Sequence, residues 1–180
     1  DSLLVTGTTL MEKRQLLLLR HGKSDWPSGP IRDFDRELKP RGVEASRRMG
    51  KWIADEGLTP NVVVSSSAAR AQATAKLTAN AFGMSAESMV LEPRIYEAST
   101  NTLLEVLAMH GQEHRRLLLV GHNPGFSSLA QQLSKEPLDA GSRGNLFPTA
   151  ALAIVDFTGE WSDLGRPAVS QVRVVRPREL

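Results

Sequence analysis

The sequence predicts an α/β fold, a three-layer αβα sandwich with a mainly parallel central sheet, and three observations carry that prediction. Residues 16–19, 62–64 and 117–120 are wholly apolar runs of strand length. A strand covered by helices on both faces reads this way, without polar alternation. Stretches of helical periodicity or composition separate these runs, so strand and helix alternate along the chain. Glycine and proline fall at the changeovers, at Pro40, Gly57, Gly83 and Pro124, where they start or stop helices.

The elements follow in order. Residues 15–20 hold four consecutive leucines and form the first strand; residues 21–39, rich in Gly, Pro, Asp and Ser, form a long loop. From Pro40 and Gly42 a helix runs to about Glu56 with Ala45, Met49, Trp52 and Ile53 on one side, and Gly57 ends it. Residues 62–64 are the second strand. After Ser65-Ser66-Ser67 an alanine-rich helix spans about 68–81 and Gly83 closes it. Residues 89–91 read as a short strand. Thr100 or Asn101 caps a helix to about His110 with Leu103, Leu104 and Leu107 inward. Residues 117–120 are the third buried strand, and Pro124 opens a helix to about Leu133. Residues 151–157 and 169–175 alternate more and read as strands nearer the sheet edge; residues 141–148 read as a surface loop.

The 180 residues, 41% hydrophobic and 23% charged, suffice for one domain with a sizeable core. Residues 11–180 are read as that single domain, with Met11 as the native start. Residues 1–10 lack a basic segment ahead of their apolar residues and make a poor signal peptide; they are read as an N-terminal extension or cloning remnant. The net charge of +2 balances 22 cations against 20 anions, so no general nucleic-acid or membrane surface is expected. One tyrosine and no basic-aromatic run give no base-stacking platform. The absence of cysteine excludes a disulfide framework and a thiolate nucleophile. With no apolar run long enough to span a bilayer, it favours the cytoplasm. A Gly-x-x-x-x-Gly-Lys-Ser/Thr loop is missing, which disfavours a kinase or NTPase.

In sheets of this kind ligands sit beyond the carboxyl ends of the strands. Three segments leave strands there: Arg20-His21-Gly22, residues 65–70, and Gly121-His122-Asn123-Pro124-Gly125. Arg20, His21, Arg70 and His122 are thus candidates to converge. Two arginines and two histidines repel one another without a guest. A phosphate resolves the repulsion, because guanidinium forks bind its oxygens in pairs, and the helix opening near Pro124 adds a positive dipole end.

These segments resemble the histidine phosphatase superfamily. Leu17-Leu18-Leu19-Arg20-His21-Gly22-Lys23-Ser24 resembles its opening signature, and Val120-Gly121-His122-Asn123-Pro124-Gly125 its second histidine motif. The small size, with Asp35-Arg36-Glu37-Leu38-Lys39-Pro40-Arg41-Gly42, resembles the SixA-like phosphohistidine phosphatase branch. The likeness runs in order from Met11 onward. It implies a phosphoglycerate mutase-like fold and a phosphatase that needs no metal or cofactor and forms a covalent phosphohistidine intermediate. By that resemblance His21 attacks phosphorus with one ring nitrogen while a backbone carbonyl holds the proton on the other. Arg20 and Arg70 bind the phosphoryl oxygens, and His122 donates to the group. Glu97, in Arg94-Ile95-Tyr96-Glu97-Ala98, falls where many members carry a general acid; some members of the phosphohistidine branch have none. As a bare residue Glu97 reads as an exposed first-turn carboxylate near a helix start. Many superfamily members follow the first motif with Trp-Asn, the Asn helping to bind phosphate. Here Pro27 follows Trp26, which disfavours a sugar-phosphate mutase and leaves Lys23 or Ser24 to compensate.

Other residues read more plainly. His110 and His114 have a zinc pair's spacing, but Gly111 interrupts them and both read as solvated. Asp33-Phe34-Asp35 follows no apolar strand, so it supplies loop or helix-entry contacts rather than a nucleophile. Arg36 and Arg41 form either a basic rim for a phosphorylated protein or salt bridges with Asp33, Asp35 and Glu37. The leading expectation is a phosphatase of phosphohistidine in a protein partner. Alternatives are a phosphatase of small phosphomonoesters and a non-catalytic phosphoprotein-binding module. Specificity rests on residues 23–39 and 141–148. Oligomeric state is not written in these patterns.

Overall fold

A computed structural model describes residues 11–180; the reading of residues 1–10 lies outside the described residues. The central strand β1 (Lys13–Arg20) is followed by α1 (Pro40–Asp55), β2 (Val62–Ser65), α2 (Ala69–Ala81) and β3 (Val90–Leu91). Then come α3 (Thr100–Gly111), β4 (Arg116–Gly121), α4 (Gly125–Leu133), β5 (Leu152–Thr158) and β6 (Val169–Val175). The sheet order is β3-β2-β4-β1-β5-β6. β3, β2, β4 and β1 run parallel; β5 and β6 add an antiparallel margin. No helix among the described residues is long and apolar enough to cross a membrane.

The leucine run of β1 explains the three layers. Successive side chains of a strand point to opposite faces. Leu16 and Leu18 enter one core with Leu117, Leu119, Leu103, Leu107, Phe126 and Leu129, under α3 and α4. Leu17 and Leu19 enter the other with Leu118, Val120, Met49, Ile53, Ala71 and Ala75, under α1 and α2. All four leucines are fully buried, and each contributes about 2 kcal/mol of transfer free energy. α1 buries Gly42, Ser46, Met49, Gly50 and Ile53, one helical stripe; Ala45 and Trp52 are only partly covered.

Three details differ from the sequence reading. The cap of α3 is Ser99, whose side chain accepts from the Thr102 amide, one residue ahead of the expected Thr100 or Asn101. β6 is the edge strand, whereas β5 lies one strand in and is fully buried at residues 152–155. The 21–39 loop is tied rather than open: Ser24 bridges Leu38, Asp25 N donates to Glu37 O (2.8 Å), and Lys39 N donates to Lys23 O (2.8 Å).

Candidate active site

Strand register brings the two histidines together. Arg20 pairs with Gly121 across β1 and β4, and His21 N donates to Gly121 O (3.0 Å). His21 and His122 therefore leave adjacent parallel strands side by side, with ring centroids 5.2 Å apart. The Arg-His-Gly turn is held from three directions. The Ala150 amide donates to the carbonyls of Arg20 (3.1 Å) and His21 (3.0 Å). Gly22 N donates to Thr74 Oγ1 (3.0 Å), whose hydroxyl donates to Arg70 O (2.8 Å). Gly22 also lies against α1, where an added Cβ would sit 2.6 Å from Gly42 O. Gly42 in turn approaches the Lys23 carbonyl, which a Cβ would meet at 2.2 Å. The two glycines, from separate sequence motifs, thus let the Arg-His-Gly turn and the start of α1 touch backbone to backbone.

His21 Nδ1 lies 2.7 Å from Gly22 O, so that nitrogen carries the proton and Nε2 is left with a lone pair. Arg70 Nε approaches Nε2 at 3.3 Å. The other nitrogens of Arg70 donate to Asp33, Nη1 to the carbonyl (2.6 Å) and Nη2 to Oδ2 (3.0 Å). Asp33 is a hub: Arg36 Nη1 donates to Oδ1 (2.7 Å) and the Tyr96 hydroxyl to Oδ2 (2.5 Å). These bonds, from Tyr96 first and then Arg36 and Arg70, hold the Asp33 carboxyl below the usual carboxylate range. The Tyr96 ring lies between Phe34 (5.1 Å) and His122 (5.4 Å). The expected loop contacts of Asp33 are therefore contacts to Arg70 itself.

Arg20 Nη1 donates to Phe147 O (2.9 Å), and Asn123 Nδ2 donates to the same carbonyl (3.0 Å). The 141–148 segment is thus more than surface loop, since Phe147 is buried and orients Arg20. His122 Nε2 lies 2.8 Å from Ser66 Oγ, which accepts from Ala68 N (3.2 Å). Arg20 Nε and His122 Nδ1 are buried without a hydrogen-bond partner among the described residues. An unpaired buried donor costs about 1–3 kcal/mol, and an oxyanion would satisfy both. The α4 terminus is less open than expected: Asn123 Oδ1 takes the Ser127 amide (3.1 Å) and His122 O takes the Phe126 amide (3.0 Å).

Burial first, and then the neighbouring charges of the cradle, favour proton loss from both histidines. Burial first, then His122, Arg70 and Arg20, push His21 down to about 3 against the support of the Gly22 carbonyl. Burial, Arg70 and Arg20 push His122 down to about 4. Both rings are neutral near pH 7. In the unfolded chain they take up protons near pH 6.5, and in the native state only far lower. The stability they permit is complete above the unfolded pKa and falls as pH drops through it toward 4. Acidification from about pH 7 to pH 5 should therefore cost on the order of 1–2 kcal/mol per histidine. Denaturant unfolding at the two pH values, with His122→Asn losing part of the difference, checks this; a pH-flat stability would contradict it.

Glu97 is exposed, follows Tyr96 directly and has φ of 56°, two residues before the α3 cap. It belongs to the connection into α3, not its first turn. Ser24 Oγ is taken by Arg36 Nη2, and the Arg36 guanidinium covers the Trp26 ring at 3.3 Å; Lys23 is exposed. Arg36 thus serves the loop through Asp33, while Arg41 is exposed and without an ion pair among the described residues. His110, read as solvated, instead approaches the buried Glu92 Oε1 at 3.1 Å. His114 is exposed. Asp33, Thr74, Ser66, Tyr96 and the Phe147 carbonyl are the site components that sequence reasoning missed.

Comparison with known proteins gives the family and the fold. Residues 16–103 match the family described as the histidine phosphatase superfamily (branch 1). An uncharacterised protein of Mycobacterium tuberculosis is 34% identical over 150 residues, 81% of this chain and 91% of its own length. A crystal structure from Agrobacterium tumefaciens, assigned as the phosphohistidine phosphatase SixA, is 29% identical with a TM-score of 0.75. It covers 91% of this chain and 99% of that one. A structure from Nakamurella multipartitia with the same assignment is 28% identical with a TM-score of 0.73, covering 92% and 97%. The fold is phosphoglycerate mutase-like.

Proposed function

The chain belongs to the histidine phosphatase superfamily, and from that membership we propose a metal-independent phosphatase that removes the phosphoryl group from phosphohistidine in a protein partner. Phosphatase chemistry based on histidine follows from the family; substrate and residue roles are our reading. In it the His21 Nε2 lone pair attacks phosphorus. The new N–P bond forms as the substrate's N–P bond breaks. Arg20 and Arg70 hold the phosphoryl oxygens and supply the positive charge a metal would otherwise bring. His122 donates to an oxygen, since an arriving dianion raises its proton affinity. Water then cleaves the phosphoenzyme to inorganic phosphate, and its proton passes to product or solvent.

The carrying observation is the state of the carboxylate in the cradle. Asp33 bonds to Arg70 and is kept ionised by Tyr96, Arg36 and Arg70, so it has no proton to give. A phosphohistidine protonated on its other ring nitrogen leaves as neutral imidazole and needs none. An alkoxide leaves poorly without one. The second reading, a phosphatase of small phosphomonoesters, draws on Glu97, which adjoins Tyr96 against His122. Turnover of a phosphohistidine peptide, an aryl phosphate and an alkyl phosphate, with chelator present, separates them. We expect phosphohistidine to be preferred and Glu97→Gln to change its kcat/KM by no more than about twofold. Efficient alkyl-ester hydrolysis that collapses in Glu97→Gln would make Glu97 the general acid and overturn the leading reading. A stable complex without turnover would point to a binding module.

A further inference from the structure

Beside the cradle lies a concave region of about 670 Å³ that the chemistry above does not use. It is lined by Lys23, Arg41, Arg48, Arg143, Arg176 and Arg178, against the carboxylates of Glu44 and Glu179. The whole chain carries a net charge of only +2, so this concentration is local. The groove begins at Lys23, two residues past His21, and at Thr149, next to the Ala150 amide that holds the His21 carbonyl. Its wall is therefore continuous with the nucleophile turn.

The cations divide into two sets. Arg48 Nη2 donates to Pro177 O (3.0 Å), and Arg176 pairs with Glu179 (3.0 Å) while its Nε donates to Leu146 O (3.2 Å). These build the walls and neutralise Glu179. Lys23, Arg41, Arg143 and Arg178 are exposed and make no ion pair among the described residues. On the other flank of the cradle the charges are spent internally, Arg32 on Asp35 and Arg36 on Asp33. Of the two carboxylates in the groove only Glu44 lacks an ion pair among the described residues, so four free cations face one free carboxylate.

We propose that this groove docks an acidic segment flanking the phosphorylated residue of a protein substrate, an assignment that rests on the protein-phosphohistidine reading above. The free cations come from separate segments: the turn after β1, the start of α1, the 140–149 loop and the tail after β6. All four are solvent-facing, so they do not enclose one compact anion. A chain bearing several carboxylates meets them in turn, and a phosphohistidine in a protein always brings flanking chain. Exposed charges of this kind act on encounter and on KM more than on the chemical step.

The test uses the triple variant Arg41→Glu, Arg143→Glu, Arg178→Glu beside the wild type. Phosphohistidine peptides with acidic or neutral flanks, and an aryl phosphate, are the substrates. At low salt the wild type should prefer the acidic peptide by about tenfold in kcat/KM or more, through KM. The variant should lose that preference with aryl phosphate turnover unchanged, which also reports an intact fold. About 0.5 M salt should erase the preference in the wild type by screening. Equal kcat/KM for the two peptides in the wild type, or a preference that survives in the variant, overturns the proposal. Fluorescence anisotropy with an unphosphorylated acidic peptide decides the groove independently of turnover. Salt-sensitive binding lost in the variant supports it even if phosphohistidine proves not to be hydrolysed, and absence of binding overturns it. Binding of polyphosphate or RNA without binding of the acidic peptide also overturns it.

Discussion

Replacement of His21 by alanine is expected to lower kcat by roughly 10⁴-fold or more, the scale on which loss of a nucleophile abolishes a covalent mechanism. The reason is geometric. Nδ1 is committed to Gly22 O at 2.7 Å, so Nε2 presents the lone pair, and burial keeps the ring unprotonated. None of the neighbours can take over. His122 points Nε2 at Ser66, and Asp33 is locked among Arg36, Arg70 and Tyr96. The fold should survive, since the turn is held by backbone bonds from Gly121 and Ala150 that do not involve the imidazole. The measurement is turnover with circular dichroism on the same sample, plus acid-labile phosphorylation of the protein in a rapid quench. Wild type should carry label on His21 and the variant none. Retained turnover, or label elsewhere, would falsify the nucleophile assignment.

How far the site could be read from the sequence depended on which residues strands place. Arg20, His21 and His122 were legible because each stands at the end of a wholly apolar strand, and parallel pairing levels those ends. Arg70 was legible because it opens a helix directly after the β2 turn. Asp33 was not, although its residue type was noticed. Its position depends on the closure of the 21–39 loop by the Ser24–Leu38 bridge and a single 3₁₀ turn, which periodicity does not encode. Thr74 and Ser66 looked like ordinary helix and loop residues; their roles arise from the approach of another segment. The Phe147 carbonyl is a backbone atom and has no sequence signature. The fold was more legible than the site, because the leucine run of β1 states its own burial on both faces, whereas loop-borne contacts are decided by tertiary packing. The basic groove draws on four segments far apart in the chain; of its free cations the sequence marks only Lys23, as a substitute phosphate ligand, and Arg41, as a rim cation, and it joins neither to a groove.

The second large effect falls on Arg70. Among the described residues it is the one side chain that touches both the nitrogen proposed to attack and the loop carboxylate, with Nε 3.3 Å from His21 Nε2 and Nη2 3.0 Å from Asp33 Oδ2. In the proposed reaction Arg70→Ala removes a guanidinium from the phosphoryl oxygens, where charge develops, and kcat/KM should fall by about 10³-fold. Arg70→Lys restores the charge but not the paired donors, so it should recover only about tenfold of that loss. The structure should hold, because Asp33 keeps Arg36 and Tyr96 as partners. A second readout separates this from mere loosening of the loop. Arg70 is a charge that lowers both histidines and follows only burial for His122. Its removal should therefore raise the His122 pKa, seen by NMR titration, while inorganic phosphate binds more weakly. A loss of less than tenfold with His122 unmoved would mean that Arg20 alone carries the phosphoryl group and that Arg70 serves only to fasten the loop.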